Sequence, residues 1–330
     1  MRREAVTCAG RVCGDVEEGA RVRAVRFHDY GGPEALRVDD VPVPAPSAGQ
    51  VLLELDAVGV TLPVVRLARG RPQGGGVTLP HAPGGDVVGR VAGLGAGVTG
   101  WRIGQRAAGP AFAGGYAEYA VVAVPMLAAV PDDVDDHTAV TAVRGGQVAL
   151  GALGASGLLE GESVLVTAAA GATGQLAAQL ADALGAGRVA GAVGPGAFRR
   201  KIEALHALGV AEVLGYHELG ELAPVDVVLD SVGGDVQARA LDTLAPFGRL
   251  VTFSAEGGRV DANGLRVHSR TVIGFNMSHF ATRLTDAYLA NRERLWRLAG
   301  AGRLRAPVDR VLPLDAAGQA HQLIEDRCNV

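Results

Sequence analysis

The sequence predicts an α/β protein in two parts: a small β-barrel-like domain and a doubly wound parallel sheet. Three observations point there. Short strands separated by Gly and Pro turns fill the first third of the chain. From about Asp132 onward, short apolar strands alternate with amphipathic helices. The 330 residues, 48% of them hydrophobic, suffice for two domains of ordinary size.

The elements follow in order. Strand-like alternation sets in at Val22 and runs to Phe27, so the preceding 21 residues, of mixed charge and no periodicity, are expected to be a poorly ordered extension. Gly31-Gly32-Pro33 marks a turn, and residues 50–55, 86–91 and 115–122 read as strands. In the second part, residues 163–167, 188–193, 211–214, 225–229 and 248–253 are short apolar strands. Helices are expected over 174–184, with Leu176, Leu180 and Leu184 on one face, over 198–208, stopped by Gly209, and over 237–244. A longer helix carries Leu284, Tyr288, Leu295 and Leu298 on one face. A strand over 308–312 and a last helix over 316–325 complete the chain. The nucleotide-type domain, 135–274, is thus expected to be inserted between a barrel domain, 22–134, and its return segment, 275–330.

Charge and cysteine content exclude several functions. A net charge of −4 gives no general attraction to nucleic acid or membrane surfaces. No apolar run is long enough for a membrane-spanning helix, and the first 22 residues lack the apolar centre of a signal peptide. Cys8, Cys13 and Cys328 lie near the two ends and form no disulfide framework, so a cytoplasmic location is expected.

The strongest chemical signal is the stretch from Val164 to Gly174, Val-Leu-Val-Thr-Ala-Ala-Ala-Gly-Ala-Thr-Gly, which leaves a strand and opens a helix. Gly171 permits a tight turn, and Gly174 lets backbone approach a pyrophosphate at the helix N-terminus. Ala168 stands at the usual position of the first glycine. Taken alone, such a turn also fits an unrelated α/β protein. The end of the second strand adds a second signal. An NAD site places Asp or Glu there for the ribose 2′-OH; here the chain reads Val193-Gly-Pro-Gly196, followed by Arg199, Arg200 and Lys201. A 2′-phosphate wants such cations, which points to NADPH, although a basic, solvated helix start reads the same way.

Several stretches together resemble the quinone oxidoreductase and enoyl reductase branch of the medium-chain dehydrogenase/reductase superfamily. They are the opening Arg23 to Leu36, Tyr116-Ala-Glu-Tyr119, the Ala168–Gly174 loop, Val225 to Gly234 and Gly248 to Val251. The resemblance covers roughly residues 22–328. It implies a GroES-like catalytic domain and a Rossmann NADPH-binding domain. It implies that Ala168, Gly171, Ala172, Thr173 and Gly174 meet the pyrophosphate. Arg199, Arg200 or Lys201, with Tyr216, would approach the 2′-phosphate, and Ser254, Phe275 and Met277 would flank the nicotinamide. It further implies a homodimer acting on a small carbonyl or quinone substrate.

The chain departs from the family in its expected pocket. Pro83-Gly84-Gly85-Asp86 stands where zinc members carry Gly-His-Glu, and no cysteine lies between 13 and 328, so no catalytic metal is expected. Thr61 replaces a family Asn, Arg66 a Tyr, and Val148, beside Gln147, a Thr. Thr61, Arg66 and Tyr116 are the expected donors to an enolate or hydroquinone anion formed after hydride transfer. Arg66 would equally suit an exposed helix position. The altered pocket leaves two rivals: a redox-neutral biosynthetic enzyme on the same fold, and an NADPH-binding sensor without turnover.

Overall fold

In the computed structural model, residues 19–71, 75–253 and 256–329 are described. The barrel part opens with an antiparallel hairpin of β1 (Arg21–Phe27) and β2 (Leu36–Pro42), in which Phe27 faces Leu36 across the turn at Gly31–Pro33. Val22 and Ala24 are buried on one face of β1 and Val25 and Phe27 on the other, so the strand is covered on both sides beyond Ala24. Then come β3 (Gln50–Val58), α1 (Leu62–Ala68), β4 (Pro83–Leu94), β5 (Arg106–Ala113), β6 (Tyr119–Ala123) and β7 (Ala128–Ala129). The five strands from β3 to β7 pair antiparallel in the order β6-β3-β4-β5-β7 around Val51, Leu53, Val87, Val91 and Val122.

A helical stretch leads out of the barrel. α2 (Asp136–Thr141) is capped by Asp135, whose carboxylate accepts from the Thr138 amide. A π-helical turn, Ala142–Gly146, follows without a break and passes into α3 (Gln147–Ser156). Gly157, at φ 62, ends it in the left-handed conformation.

The second part is β8 (Ser163–Thr167), α4 (Ala172–Ala183), β9 (Arg188–Val193), α5 (Phe198–Ala207), β10 (Glu212–Gly215), β11 (Val225–Asp230), α6 (Gly234–Asp242), β12 (Leu244–Thr252), α7 (Ala262–His268) and β13 (Thr271–Gly274). The six strands are all parallel, in the order β10-β9-β8-β11-β12-β13. Strand order reverses between β8 and β11, the crevice where ligands of open α/β sheets bind. One face of the sheet packs on α3 and α4 through Leu150, Leu153, Leu176 and Leu180, the other on α6 through Ala240 and Leu241. Both faces being covered, the strands read as unbroken apolar runs.

The return is α8 (Met277–Arg283), α9 (Thr285–Gly300) and α10 (Ala317–Glu325). Leu295 of α9 lies against Gly146, and Ala317 of α10 joins Val25 and Tyr116 in a small core under the barrel.

Three expectations are corrected. Residues 308–312 form no strand; Val308 and Val311 point to solvent, so no apolar edge drives pairing. The strand expected over 115–122 shrinks to β6, because Gly114 turns at φ 71 and Ala117 only bridges to Ala24. Helix α4 begins at Ala172, not Gly174, since Gly171 is already its extended N-cap. The 21-residue extension falls largely on residues 1–18, outside those described, and Arg21 already belongs to β1. Among the described residues, no helix is long and apolar enough to cross a membrane.

Candidate nucleotide and active site

The loop after β8 has the geometry of an anion cradle. Ala168 takes the left-handed conformation at φ 48, a strained place for a residue with a Cβ. Its carbonyl accepts from the Gly171 amide at 2.9 Å. Gly171 then opens α4 with no side chain capping the helix, so the first-turn amides of Ala172, Thr173 and Gly174 meet no side-chain acceptor. Gly174 has no room for a side chain: a Cβ there would lie 2.3 Å from the Ala168 carbonyl oxygen. The ends of the central strands are pinned by buried Asp230. It accepts from Thr167 Oγ1 at 3.0 Å, from the Val232 and Gly233 amides, and from Gln237 Nε2. This satisfied network fixes the crevice between β8 and β11.

At the end of β9, Gly194 lies beneath the Tyr216 ring. The three expected cations separate. Arg199 faces solvent. Arg200 pairs with Asp309 and donates to the Cys328 carbonyl, so it holds the C-terminal segment in place. Lys201 is buried, and no carboxylate pairs with it among the described residues. Burial pushes its ammonium below the usual lysine range, and nearby Arg327 pushes the same way. Arg327 also lies close enough to Tyr216 to favour its phenolate, against the larger effect of burial, which raises it. The Arg327 backbone abuts Gly196, where a Cβ would come within 2.8 Å of the Arg327 carbonyl oxygen. Arg327 thus acts on both Lys201 and Tyr216, and no carboxylate pairs with Lys201 among the described residues; the acid that Tyr216 feels is Asp230, already held in its own buried network. Sequence reasoning missed Arg327, since nothing in its local pattern says that it folds back over a strand end some 130 residues earlier.

The cleft side differs more from expectation. Thr61 precedes α1, and its Oγ1 is buried without a hydrogen-bond partner. Arg66 is not a free donor: it pairs with Glu256 Oε1 at 2.7 Å, linking α1 to the segment after β12. Tyr116 is not a cleft donor either. It is 1% exposed in the core, and its hydroxyl and His321 Nε2 share a hydrogen bond of 3.2 Å. Burial raises its phenol well above the usual range. Phe275 packs its ring on Gly151 of α3 and on Phe280, and Met277 opens α8 half-buried. Ser254 lies outside the described residues.

Two groups that sequence reasoning left aside meet here. Asp86 of β4 is 7% exposed, and Arg144 of the π-helical turn donates from Nε to its Oδ2 at 3.0 Å. Burial drives the Asp86 carboxyl up and Arg144 draws it back down. The Asp86 carbonyl accepts from the Gly59 amide at 2.8 Å, which ties the pair to the Gly59–Thr61 segment. Beside it, Gln147 donates to the Tyr288 carbonyl at 3.0 Å, leaving its own Oε1 buried and unpartnered.

An antiparallel barrel sheet joined to a 3-2-1-4-5-6 parallel sheet, with a glycine-bounded anion loop at the switch point, defines a medium-chain dehydrogenase/reductase. Residues 47–132 match the alcohol dehydrogenase GroES-like domain, and residues 208–329 match the zinc-binding dehydrogenase family. The quinone oxidoreductase of Sus scrofa is 30% identical over 314 residues, covering 91% of this chain and 92% of its own. That of Pseudomonas aeruginosa is 29% identical, covering 91% and 94%. Among solved structures, a mycobacterial quinone oxidoreductase superposes with a TM-score of 0.81 at 30% identity over 94% of this chain and 98% of its own. Escherichia coli quinone oxidoreductase complexed with NADPH superposes with a TM-score of 0.80 at 26% identity, over 92% and 97%. The chain belongs to the quinone oxidoreductase family.

Proposed function

We propose that this chain is a zinc-independent, NADPH-dependent reductase that delivers hydride to a quinone or an α,β-unsaturated carbonyl. The family makes it an oxidoreductase with a nicotinamide cofactor; the finer choices rest on its own residues. The observation that carries NADPH is buried Lys201 beside Arg327, with no carboxylate paired to it among the described residues and no acid in the Val193–Gly196 end of β9. A buried, unpaired lysine is costly until an anion reaches it. A ribose 2′-phosphate supplies that anion, whereas a bare 2′-hydroxyl leaves the cost unmet.

The fit of a zinc ion is poor. Among the described residues no group of three or more His, Cys, Asp and Glu side chains comes together, and Asp86 already has Arg144 as its counter-ion. No step is therefore routed through a metal.

When bound, the reduced nicotinamide supplies the hydride. The chain does the rest by position. The first-turn amides of α4 and its positive end hold the pyrophosphate. Gly174 lets the backbone close on it, and Tyr216 with Lys201 and Arg327 fixes the adenosine end. Phe275 and Met277 would flank the nicotinamide side, and Thr61 would offer it an unused hydroxyl. In this reading residues 22–134 with 275–330 form the catalytic domain and 135–274 the nucleotide domain, and two copies associate as a homodimer in the cytoplasm.

The test is a fluorescence titration with NADPH and NADH on wild type, Lys201→Ala and Arg327→Ala. Loss of one charged phosphate contact is worth roughly 1.5–3 kcal/mol, so NADPH affinity should fall about 10- to 100-fold with NADH affinity nearly unchanged. Equal wild-type affinity for both cofactors would sink the assignment. Absorbance at the nicotinamide band with a quinone and an enone panel then tests turnover.

A further inference from the structure

The Asp86–Arg144 pair is built to present a cation rather than to bury one. Asp86 is enclosed, and Arg144 is its only ion-pair partner among the described residues. The grip is by Nε alone: Oδ2 accepts from it at 3.0 Å, and Oδ1 lies 2.8 Å from the same nitrogen without hydrogen-bond geometry. Nη1 and Nη2 therefore keep their N–H donors, which meet no protein acceptor among the described residues, and the side chain is 39% exposed. Position completes the case. The neighbouring Gly145 sits over the first turn of α4, where a Cβ would lie 3.4 Å from Thr173 Oγ1. The Asp86 carbonyl holds the Gly59 amide, two residues before unpartnered Thr61. The free edge of Arg144 is thus anchored between the phosphate loop and the Gly59–Thr61 segment of the barrel.

We infer that Arg144 is a catalytic residue whose Nη donors receive the carbonyl oxygen of the substrate, with Asp86 as its positioning residue. The inference rests on the reductase reading above. As hydride forms a C–H bond at the β-carbon of an enone, the alkene π pair shifts toward the carbonyl carbon and the carbonyl π pair moves onto oxygen. The resulting enolate oxygen is the atom Arg144 holds. A proton from water then bonds the α-carbon, the carbonyl re-forms, and the oxidised cofactor departs. For a quinone the same donors hold the hydroquinone monoanion until water protonates it. A guanidinium held by a buried carboxylate needs little reorganisation at that moment, the condition under which such donors act most strongly.

Wild type, Arg144→Gln and Arg144→Lys would be compared in three measurements: NADPH affinity, kcat on the quinone and enone panel, and the ionisation of 4-nitrophenol added to the NADP+ complex. The phenolate mimics the oxyanion, and its absorbance reports whether the site favours the charged form without any turnover. In wild type the bound phenol should ionise at lower pH than in water. In Arg144→Gln that displacement should vanish and kcat should fall on the order of 100-fold, while NADPH affinity stays within about threefold; Arg144→Lys should keep part of both. An unchanged kcat and phenol ionisation in Arg144→Gln overturns the inference. So does a loss of kcat that merely follows lost NADPH affinity, or the absence of any displacement in wild type; in these cases the reductase reading survives. Wild type that neither binds nor oxidises NADPH removes the reading itself, and this role with it.

Discussion

His321 shows how one buried group can set the acid limit of a fold. Carried on the buried face of α10 against Tyr116, it is kept neutral by burial, which lowers its pKa from 6.5 to about 4. Between these values the unfolded chain binds the proton and the folded chain does not, so stability falls as pH drops from about 6.5 toward 4 and is fully present above that window. The displacement corresponds to about 3 kcal/mol. Urea midpoints measured from pH 8 to pH 4 should show a steep acid limb in wild type and a flatter one in His321→Gln. Parallel profiles would rule His321 out as its source. Thr61 makes the opposite case. Its buried hydroxyl lacks a partner, so Thr61→Val should leave the melting temperature of the free protein unchanged or raise it, while NADPH affinity falls. A lower melting temperature would mean that the hydroxyl is already used in the free protein.

At the scale of elements, the loop between β8 and α4 is the most demanding. Gly174→Ala would drive a methyl into the Ala168 carbonyl and should both lower the melting temperature and abolish cofactor binding. Ala168→Gly should act the other way, removing left-handed strain and raising stability by up to about 1 kcal/mol. Calorimetry on the pair settles both signs. These same elements show what pattern alone can tell. β8 and β9 fall at the residues the apolar runs mark, because strands covered on both faces leave little room for other readings. Residues 308–312 have the same apolar look but no sheet edge to meet, and stay without a strand. β2 has no counterpart among the expected elements and α1 only the helix position allowed for Arg66: β2 buries none of its residues, and α1 spans only seven, so neither carries a readable period.

Across the whole molecule, Arg66 and Glu256 join the barrel side to the segment after β12. Both are partly exposed, so Glu256→Gln should change unfolding free energy by no more than about 1 kcal/mol. If the pair latches the crevice, stopped-flow traces should show faster NADPH release in that variant, and high salt should have the same effect on wild type. Unchanged release rates would leave it a surface contact. The site was legible in the chain only where its parts are contiguous. The anion loop and the lack of an acid after β9 are local facts, and they are there. Arg327 comes from after α10, and the Asp86–Arg144 pair joins β4 to a helix turn 58 residues on, so both depend on tertiary closure. Arg66 and Tyr116 misled because residue type gave no hint of Glu256 or His321.

The π-helical turn of Ala142–Gly146 bears on how this stretch tolerates changes of length. It joins α2 and α3 into one helical run from 136 to 156, wound one residue wider than an α-helix at that turn. Deleting a single residue inside it would let the run heal into a continuous α-helix with α2 and α3 nearly in their present register, because the wide turn spends one extra residue on about the same sweep around the axis. Helix content by circular dichroism would barely register the change and α3 would keep its packing, yet Arg144, within the turn itself, would move off Asp86. Insertions and deletions, ordinarily harmless in a loop and ruinous in a helix, would here produce a helix of better geometry and a worse protein.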